Sequence, residues 1–376
     1  MILFFSDAHL GYKRYSSITE NFIFESEQDA RNALTEILDI ISHYPVSKII
    51  FCGDLFHSNK PTPTNIKWVI EWFHKLDNLG IESYFIVGNH DASEYSHAFV
   101  FAHSLNLKNI TIIEKTTTIA LSPNIHGIFI PFMFGESLQN KYHKTQDAFN
   151  SLNDLVDPTR VNIVISHLHE VHAGFGSEAR MISNLVSSVN ITKTASNLYY
   201  VFGHVHTPQQ YKVGESCVYY PGALINMTSD DCEIPKYVLL CDERTLEFSY
   251  VPLTKIRKFK LIKAKTIDDA VTAIRQTRYP TGTVVFIAVE SNVLGSTNEV
   301  LSELQRKRYR FGKIICGASK DAHKPITDNF LPDQQSRSLD DILQDYLNGV
   351  SEKLPKNWKT NVLPRCKKYL EMSTMN

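Results

Sequence analysis

Acidic, amide and imidazole side chains recur in this 376-residue chain directly after short apolar runs. The five segments that carry them are Ser6-Asp7-Ala8-His9, Gly53-Asp54-Leu55-Phe56-His57, Gly88-Asn89-His90-Asp91, Ser166-His167-Leu168-His169 and Gly203-His204-Val205-His206. Carboxylate, amide and imidazole ligands without cysteine suit manganese, iron or zinc. Six or seven such groups are too many for one ion, but they suit two ions that share a carboxylate, as in hydrolases of phosphate esters. The residues therefore predict a two-metal hydrolytic site.

The elements that must position these groups are strands. The preceding runs, at residues 2–5, 48–52, 85–87, 161–165 and 198–202, are rich in β-branched and aromatic residues. Ligands of open α/β folds bind at the carboxyl ends of strands, so we expect the five strand ends to converge. One such segment alone is often an ordinary turn or a packed histidine. Five repetitions favour a functional site.

Apolar periodicity predicts helices at 26–43, 63–79 and 94–106, a helix near 143–154, and antiparallel strands at 110–113, 117–121 and 126–131. Further strands are predicted at 209–213, 217–220, 236–241 and 246–251. After residue 252 a β-α-β-α-β order follows, with segments at 258–263, 267–276, 283–290, 297–306 and 311–316. Residues 323–337 have a linker composition, and 338–350 form an amphipathic pattern. The fold class expected is α/β.

Charge is distributed unevenly along the chain. Residues 1–254 contain 17 Lys and Arg against 27 Asp and Glu, whereas residues 255–324 contain 15 against 6. This contrast suggests an acidic catalytic part beside a basic module with a separate role. The six cysteines form no Cys-x-x-Cys pattern and are expected to be reduced, in the cytoplasm. No apolar stretch approaches the roughly 18 residues of a membrane span.

The order Asp-x-His, Gly-Asp-x-x-His, Gly-Asn-His-Asp, His and Gly-His-x-His resembles the calcineurin-like metallophosphoesterases. Within them the chain looks like the nuclease subunit of SbcCD-type exonuclease complexes and their phage and eukaryotic repair counterparts. Residues 6–11 and 53–61 carry the most specific matches. The resemblance implies two sheets sandwiched between helices over residues 1–254. It further implies a capping domain over 255–322, a linker over 323–337 and a helical tail over 338–376.

The resemblance also implies roles for the site residues. One metal would be held by Asp7, His9, Asp54 and His206, and the other by Asp54, Asn89, His167 and His204. Two Mn²⁺ ions are expected, with Mg²⁺ or another divalent metal possible. His90 would assist the leaving oxygen, and His57 would steer the substrate. Residue spacing alone leaves His169 open as an alternative to His167. It also leaves open whether Asp91 orients His90 or finishes the turn, and whether the loop at 170–177 touches substrate.

The partners implied are DNA and an ATPase of the SMC type. A basic cluster at Arg306, Lys307, Arg308 and Arg310 is a candidate contact to the phosphate backbone, although a solvated face explains it equally well. The amphipathic tail, with Leu339, Ile342, Leu343, Tyr346 and Leu347, is the candidate ATPase contact. Trp68 and Trp72 lie outside the main apolar stripe of the second helix, which is typical of an interface or of packing under the sheet. A homodimer through the helices after the second and third motifs is expected.

Together these observations predict a metal-dependent DNA exonuclease and endonuclease for end processing, recombination and repair. A phosphatase acting on phosphomonoesters or small phosphodiesters is the main alternative. Phosphatase relatives usually carry Asp and Arg in the second motif, where this chain has Phe56-His57-Ser58-Asn59 and no arginine. A non-catalytic scaffold is disfavoured because every ligand position is filled. No Gly-x-x-x-x-Gly-Lys loop occurs, so any ATP dependence must come from a partner.

Overall fold

Residues 1–20, 22–93, 96–132, 145, 147–174, 189–191, 198–290 and 297–316 are described by the computed structural model. Their strands are β1 (Ile2–Phe5), β2 (Lys48–Phe51), β3 (Glu82–Ile86), β4 (Ile110–Ile113), β5 (Thr117–Ser122), β6 (Ile125–Ile130), β7 (Val161–His167), β8 (Tyr199–Gly203), β9 (Gln209–Val213), β10 (Ser216–Tyr220), β11 (Tyr237–Cys241), β12 (Phe248–Pro252), β13 (Phe259–Ala264), β14 (Val284–Val289) and β15 (Arg310–Cys316). The α-helices are α1 (Glu25–His43), α2 (Pro63–Asp77), α3 (Ile267–Gln276) and α4 (Thr297–Arg306). Short 3-10 helices span Val100–Ser104, Leu152–Leu155 and Ser229–Asp231.

Within the described residues the strands build two six-stranded sheets and one three-stranded sheet. The first has the order β12-β11-β1-β2-β3-β4, and the second has the order β5-β6-β7-β8-β10-β9. Strands β1 to β4 run parallel, as do β6, β7, β8 and β10, while β11 and β12 in the first sheet and β5 and β9 in the second form the antiparallel pairings. Because the central strands are parallel, the carboxyl ends of β1, β2 and β3 lie at one edge of their sheet.

Strand alternation distributes the core over both faces of the first sheet. Ile2 and Phe4 join a buried cluster that includes residues of the second sheet, among them Phe129 and Ile163. Leu3 and Phe5 point the other way and pack with residues of α1 and α2. The outer face of the second sheet is covered by a third cluster that contains Phe149 and Leu152. The predicted sandwich of two sheets between helical layers is therefore confirmed.

Three details differ from the sequence prediction. Residues 96–99 are not helical and only Val100–Ser104 form a 3-10 turn, so the helix predicted at 94–106 is wrong over its described residues. Strand β4 pairs in parallel with β3 and extends the first sheet, whereas the sequence predicted an antiparallel strand here. Trp72 is buried and donates its indole N–H to the Leu34 carbonyl at 3.0 Å, so it belongs to the core and not to an interface.

The segment after β12 has the predicted β-α-β-α-β order, and its three strands pair in parallel in the order β13-β14-β15. We call residues 255–316 the basic module. Arg257 and Arg310 connect it to α1. Arg257 bonds Asp29 at 2.7 Å, and Arg310 forms a two-pronged ion pair with Glu25 at 2.5 to 3.0 Å. None of the helices in the described part of the chain is long and apolar enough to cross a membrane.

Candidate metal centre

The first group of predicted ligands meets where β1 and β8 end. The Nε2 atoms of His9 and His206 lie 3.1 Å apart. Each of them is 3.8 or 3.9 Å from Oδ1 of Asp7. Two ligands about 2.1 Å from a common ion lie about 3 Å apart when adjacent and about 4 Å when opposite. The three side chains are buried, and their spacing therefore suits a single cation.

The second group meets where β2, β3, β7 and β8 end. Oδ1 of Asn89 lies 2.9 Å from Nε2 of His167 and 3.0 Å from Nδ1 of His204. Nε2 of His167 lies 3.2 Å from Oδ2 of Asp54. These four atoms come from segments separated by up to 150 residues, and they meet only because the two sheets face each other. Their spacing suits a second cation.

Asp54 stands between the two groups, and its two oxygens have different surroundings. Oδ1 accepts the backbone N–H of His90 at 2.8 Å. Oδ2 lies 3.2 Å from Nε2 of His167 in the second group and 3.9 Å from Nε2 of His9 in the first. One carboxylate oxygen thus faces both ligand groups. This is the position that a bridging ligand between two ions requires.

The donor atoms are arranged for cations rather than for hydrogen bonds with one another. His167 donates its Nδ1–H to the Cys52 carbonyl at 2.7 Å, which leaves the lone pair of Nε2 pointing at Asn89 and Asp54. Acceptors that meet at about 3 Å repel unless a proton or a metal cation lies between them. Burial disfavours the His167 cation, but the Asp54 carboxylate overcomes this and raises the pKa of His167 to about 9, so that without a metal a proton occupies Nε2 and takes the place of the cation. The residues present therefore fit divalent metals.

Burial has different effects on the other ligands. It lowers the pKa of His9 and of His204 well below the usual range, and neighbouring histidines add to the effect. Neutral imidazole is the form that binds metal. Burial raises the pKa of Asp7, whereas it is outweighed at Asp54 by His167, so that the pKa of Asp54 is well below its ordinary value. Nε2 of His204 is buried without a hydrogen-bond partner among the described residues.

Four of the predicted ligands adopt left-handed backbone conformations that non-glycine residues rarely use. The φ angles are 54° at Asp7, 45° at His9, 61° at Asp54 and 87° at His204. Each such residue costs on the order of 1–3 kcal/mol, and such strain concentrates at functional sites. Backbone bonds hold the turns in place, for example Asp7 N–H to the Gly53 carbonyl at 2.9 Å and His9 N–H to the Asp54 carbonyl at 3.1 Å. The strained turns direct side chains from successive strand ends towards one centre.

At two of the strand ends there is no room for any residue larger than glycine. A Cβ at Gly88 would lie 2.1 Å from Oδ1 of Asp54, and a Cβ at Gly53 would lie 2.4 Å from Nδ1 of His167. Neither atom can move without displacing a candidate ligand. The glycine that precedes Asp54 and the one that precedes Asn89 therefore allow neighbouring strand ends to approach closely. The sequence pattern did not reveal this steric requirement.

Asp91 has a role that the sequence left open. Its Oδ2 accepts the backbone N–H groups of Asp54, Leu55 and Gly88 at 2.9 to 3.3 Å, and its Oδ1 accepts that of Phe56 at 3.0 Å. The carboxylate thus fastens the loop after β2 to the loop after β3. Burial and the Asp54 charge raise the pKa of Asp91 to about 7, against the opposing amide bonds. Asp91 positions ligand loops instead of orienting the His90 ring.

His57 and His90 form the open side of the centre. Their rings stack with centroids 5.3 Å apart, and the His90 ring donates Nδ1–H to the His57 carbonyl at 3.0 Å. Nδ1 of His57 lies 3.4 Å from Nδ1 of His9. Burial and the neighbouring His90 lower the pKa of His57 to about 4. Both rings therefore lie beside the first ligand group, where the sequence placed the substrate.

The structure also addresses His169 and the loop at 170–177. His169 is buried but is absent from the clusters whose ligand atoms converge, so among the described residues the geometry favours His167. Glu170 is buried, accepts the hydroxyl of Tyr211 at 2.8 Å and pairs with His172 at 2.9 Å, which gives the start of this loop a structural role. Residues 175–177 lie outside the described residues.

A separate group of His97, His103 and Glu114 lies near β4. Nδ1 of His97 accepts the Phe99 N–H at 3.2 Å, so the ring proton of neutral His97 resides on Nε2. Nε2 then donates to Glu114 at 3.0 Å. This arrangement leaves Nε2 no lone pair for a metal. The group is a hydrogen-bonded support for the loop before β4.

The residues predicted to contact DNA lie on the basic module and not among the candidate ligands, and those predicted to contact a partner lie outside the described residues. Arg306 and Arg308 are exposed on the basic module, although Arg306 pairs with Glu303 at 2.8 Å. Lys307 donates to the Thr277 carbonyl at 2.8 Å, and Arg310 is engaged with Glu25. The five tail residues Leu339, Ile342, Leu343, Tyr346 and Leu347 lie outside the described residues, as do the linker and the tail helix.

Two curated relatives illustrate the similarity to known proteins. The DNA double-strand break repair protein Mre11 of Archaeoglobus fulgidus is 23% identical over 254 residues, which cover 64% of this chain and 53% of that protein. The Mre11 protein of Haloferax volcanii is 22% identical over 304 residues, or 76% of this chain and 63% of that protein. The chain thus spans between about half and two thirds of the length of these relatives. Homology to the Mre11 and SbcD-type nucleases is present at modest identity.

Among solved structures, a dimetal phosphatase from Danio rerio is similar with a TM-score of 0.42 and 10% identity, over 68% of this chain and 98% of that one. The family described as Calcineurin-like phosphoesterase matches residues 1–208. That range includes every candidate ligand from Asp7 to His206 and more than half of the chain. The protein with these two ligand groups at its strand ends belongs to the calcineurin-like phosphoesterase family.

Proposed function

We propose that this chain is a metal-dependent DNA nuclease that hydrolyses phosphodiester bonds with two divalent ions, preferably Mn²⁺. The observation that carries the proposal is the position of Asp54, whose single oxygen Oδ2 faces both ligand groups. Asp7, His9, His206 and Asp54 would hold one ion, and Asn89, His167, His204 and Asp54 the other. Imidazole-rich sites disfavour the hard Mg²⁺ ion, which prefers oxygen ligands and water.

When bound, the ions supply charge stabilisation for the phosphate and activate water at neutral pH. The side chains of the protein supply orientation. The bond from the His90 ring to the His57 carbonyl and the bond from the His90 amide to Asp54 hold that imidazole beside the ligands. With Nδ1–H engaged at the His57 carbonyl, the imidazolium form of His90 would donate a hydrogen bond or its Nε2 proton to the leaving oxygen, and His57 would steer the substrate.

We propose DNA as the substrate because the Mre11 relatives are named DNA double-strand break repair proteins. The basic module, with exposed Arg306 and Arg308, supports the proposal, since phosphate contacts dominate affinity for DNA. An SMC-like ATPase bound by residues 338–376, a homodimer, and roles in repair, recombination and replication belong to the same proposal. A phosphatase remains the second candidate, since the ligand groups alone suit either ester.

The test compares Asp54→Asn with Asp39→Asn, a matched control whose side chain is 52% exposed and far along α1. Purified full-length protein is given Mn²⁺ and either labelled linear DNA or p-nitrophenyl phosphate. We expect Asp54→Asn to lose DNA cleavage and bound metal, because a neutral amide cannot serve as a bridging anion, and we expect the control to keep both. Full activity in Asp54→Asn would refute the two-metal assignment. Hydrolysis of the monoester without cleavage of DNA would instead favour the phosphatase.

A further inference from the structure

A groove of about 450 Å³ opens beside His57, next to the metal centre. One wall is formed by residues 10–14, which follow the candidate ligand His9, and the other by residues 57–62 and Asn65 before and within α2. Among the described residues that line it, Lys13, Arg14 and Lys60 are cations and none is a carboxylate. Residues 1–254 are acidic as a whole, with 17 basic against 27 acidic side chains. The groove is therefore a local exception that favours a polyanion.

The wall that carries Lys13 and Arg14 is held on both sides by tyrosine contacts, from the buried Tyr12 and the partly buried Tyr15. Tyr12 donates its hydroxyl to the Met227 carbonyl at 2.5 Å and packs edge-on against the His57 ring, with centroids 5.0 Å apart. Tyr15 packs against Phe286 of the basic module with centroids 5.0 Å apart, and its carbonyl accepts from Arg257 at 3.1 Å. The two cations thus lie on a backbone that is fixed before any ligand arrives, which lowers the entropic cost of binding.

The same loop continues into a small hairpin that presents an apolar tip to solvent. The Thr19 N–H donates to the Ile23 carbonyl at 2.7 Å, and Ile18 bridges to Phe24. Phe22, which donates its backbone N–H to the Thr19 carbonyl at 3.0 Å, is 90% exposed, and Ile18 is 62% exposed. The Lys13 ammonium lies 5.4 Å from the centre of the Phe24 ring, so the hairpin adjoins the cationic wall.

We propose that this groove and hairpin form a subsite for a single-stranded nucleic-acid end, which rests on the proposed nuclease function. Lys13, Arg14 and Lys60 bind phosphates next to the scissile one, and a base stacks on Phe22. Single strands are bound in this way elsewhere, by a cationic groove that follows the backbone and by aromatic rings that take bases. Phe22 is exposed on the hairpin that adjoins Lys13, and within the described residues no carboxylate lines the groove, which matches that chemistry. An apolar partner protein would gain nothing from the cations.

The test measures binding of a 5′-labelled dT12 oligonucleotide to the full-length protein by fluorescence anisotropy, in EDTA so that no cleavage occurs. The double variant Lys13→Glu with Arg14→Glu is expected to raise the Kd more than about tenfold. It is also expected to reduce the slope of log K against log salt by about 1.4, since each phosphate contact on a single strand contributes roughly 0.7. Phe22→Ala should raise the Kd about fivefold or more through lost stacking.

The matched controls are Lys67→Glu, whose side chain is 80% exposed on α2 outside the groove, and Leu79→Ala, which is 48% exposed. Both should bind dT12 as the unaltered protein does. The exchange Lys13→Arg with Arg14→Lys should restore binding to within about twofold, and thermal melting checks that each variant is folded. Equal losses in variants and controls, or no loss in the double variant, would overturn the subsite alone. Failure of the unaltered protein to bind DNA would overturn the proposed function, and the subsite with it.

Discussion

At the scale of single residues, the candidate metal centre depends on side chains in which one polar atom already has a hydrogen-bond partner. Oδ1 of Asp54 accepts the His90 amide, and Nδ1 of His167 donates to the Cys52 carbonyl. These bonds leave Oδ2 and Nε2 directed at the place where a cation would lie. Such outer bonds determine the orientation and the ring tautomer of a metal ligand. The hydrogen-bond partners of the candidate ligands are therefore as important to the geometry of the site as the candidate ligands themselves.

Asp54 accepts a hydrogen bond from the backbone of His90 and not from its ring, so the catalytic role of the His90 ring can be tested separately. The variant His90→Ala keeps the backbone N–H that Oδ1 of Asp54 accepts, so bound metal should be unchanged. Removal of the imidazole should lower kcat about 100-fold or more, the usual contribution of a general acid. Metal content by atomic absorption and kcat on DNA give the two readouts. His74→Ala, an exposed histidine on α2, is the control. Parallel loss of metal and rate would identify His90 as a ligand.

Asp91 provides a second test at this scale. In Asp91→Asn only one oxygen remains to accept, and the amide hydrogens would face the backbone N–H of Phe56. We expect the free energy of unfolding to fall by about 1–3 kcal/mol, the cost of leaving a buried donor unsatisfied. Denaturant unfolding of the metal-free protein measures it, with Asp39→Asn as the control. A variant as stable as the unaltered protein would contradict the role of Asp91 in joining the two loops.

At the scale of elements, the start of α1 is the place where the basic module is attached. Arg310 bonds Glu25, and Arg257 bonds both Glu25 and Asp29. Arg310 was one of four cations that the sequence suggested for DNA, and its ion pair gives it a structural partner. The remaining exposed cations, Arg306 and Arg308, are the better candidates for a phosphate contact.

The Glu25 ion pair predicts a pH dependence of stability. Burial alone would raise the pKa of Glu25, but the bonds from Arg310 and from the Ser17 amide outweigh it and lower the pKa. The contribution to stability is therefore present above the unfolded pKa near 4.5 and is lost as the pH falls through the lower folded pKa. Glu25→Gln should lower Tm by roughly 1–2 °C at pH 7, as about 1 kcal/mol does in a chain of this size.

Thermal melting between pH 3.5 and 7 checks the prediction, because the difference between Glu25→Gln and the unaltered protein should shrink as the pH falls below the ordinary pKa of 4.5 and through the lower folded pKa. Glu82→Gln is the control, since Glu82 forms a surface pair with Lys48 and is 54% exposed. Surface pairs of this kind contribute little to stability. A difference in Tm that does not change with pH would show that Glu25 acts through packing and not through charge.

At the scale of the whole molecule, the acidic catalytic part, the basic module and the tail suggest three separate tasks. Deletion of residues 338–376 should leave Mn²⁺-dependent cleavage by the isolated subunit nearly unchanged, because every candidate ligand lies at or before His206. It should abolish coelution with an SMC-like ATPase and any stimulation by ATP. Size-exclusion chromatography of the mixed proteins and nuclease assays with and without ATP measure both.

A milder variant separates the apolar face of the tail from its length. Leu343→Asp with Leu347→Asp places carboxylates on that face, and burial of unpaired charge is costly. The complex with the ATPase should be lost as it is in the deletion. A complex that survives both changes would mean that the partner binds another surface.

The sequence alone determined the five strand ends and the ligand order. Short apolar runs that end in glycine or in a polar residue are local patterns, and in a parallel sheet such ends meet at one edge. The same locality explains why α1, α2 and the β-α-β-α-β module were predicted close to their observed bounds. The predicted domain boundaries, the linker at 323–337 and the tail helix stay predictions.

Only the tertiary structure decided which partner each side chain has. Trp72 was ambiguous because helical spacing cannot say whether another helix covers a face, and α1 provides that cover through the Leu34 carbonyl. Residues 96–104 have helical composition. However, the His97 ring accepts the Phe99 N–H and donates to Glu114, and these bonds stabilise turns in place of a helix. Asp91 and Arg310 looked like site residues, yet Asp91 bonds Phe56, which lies 35 residues earlier in the chain, and Arg310 bonds Glu25, which lies 285 residues earlier. Contacts at such separations are set by how the elements pack, and no local pattern contains that information.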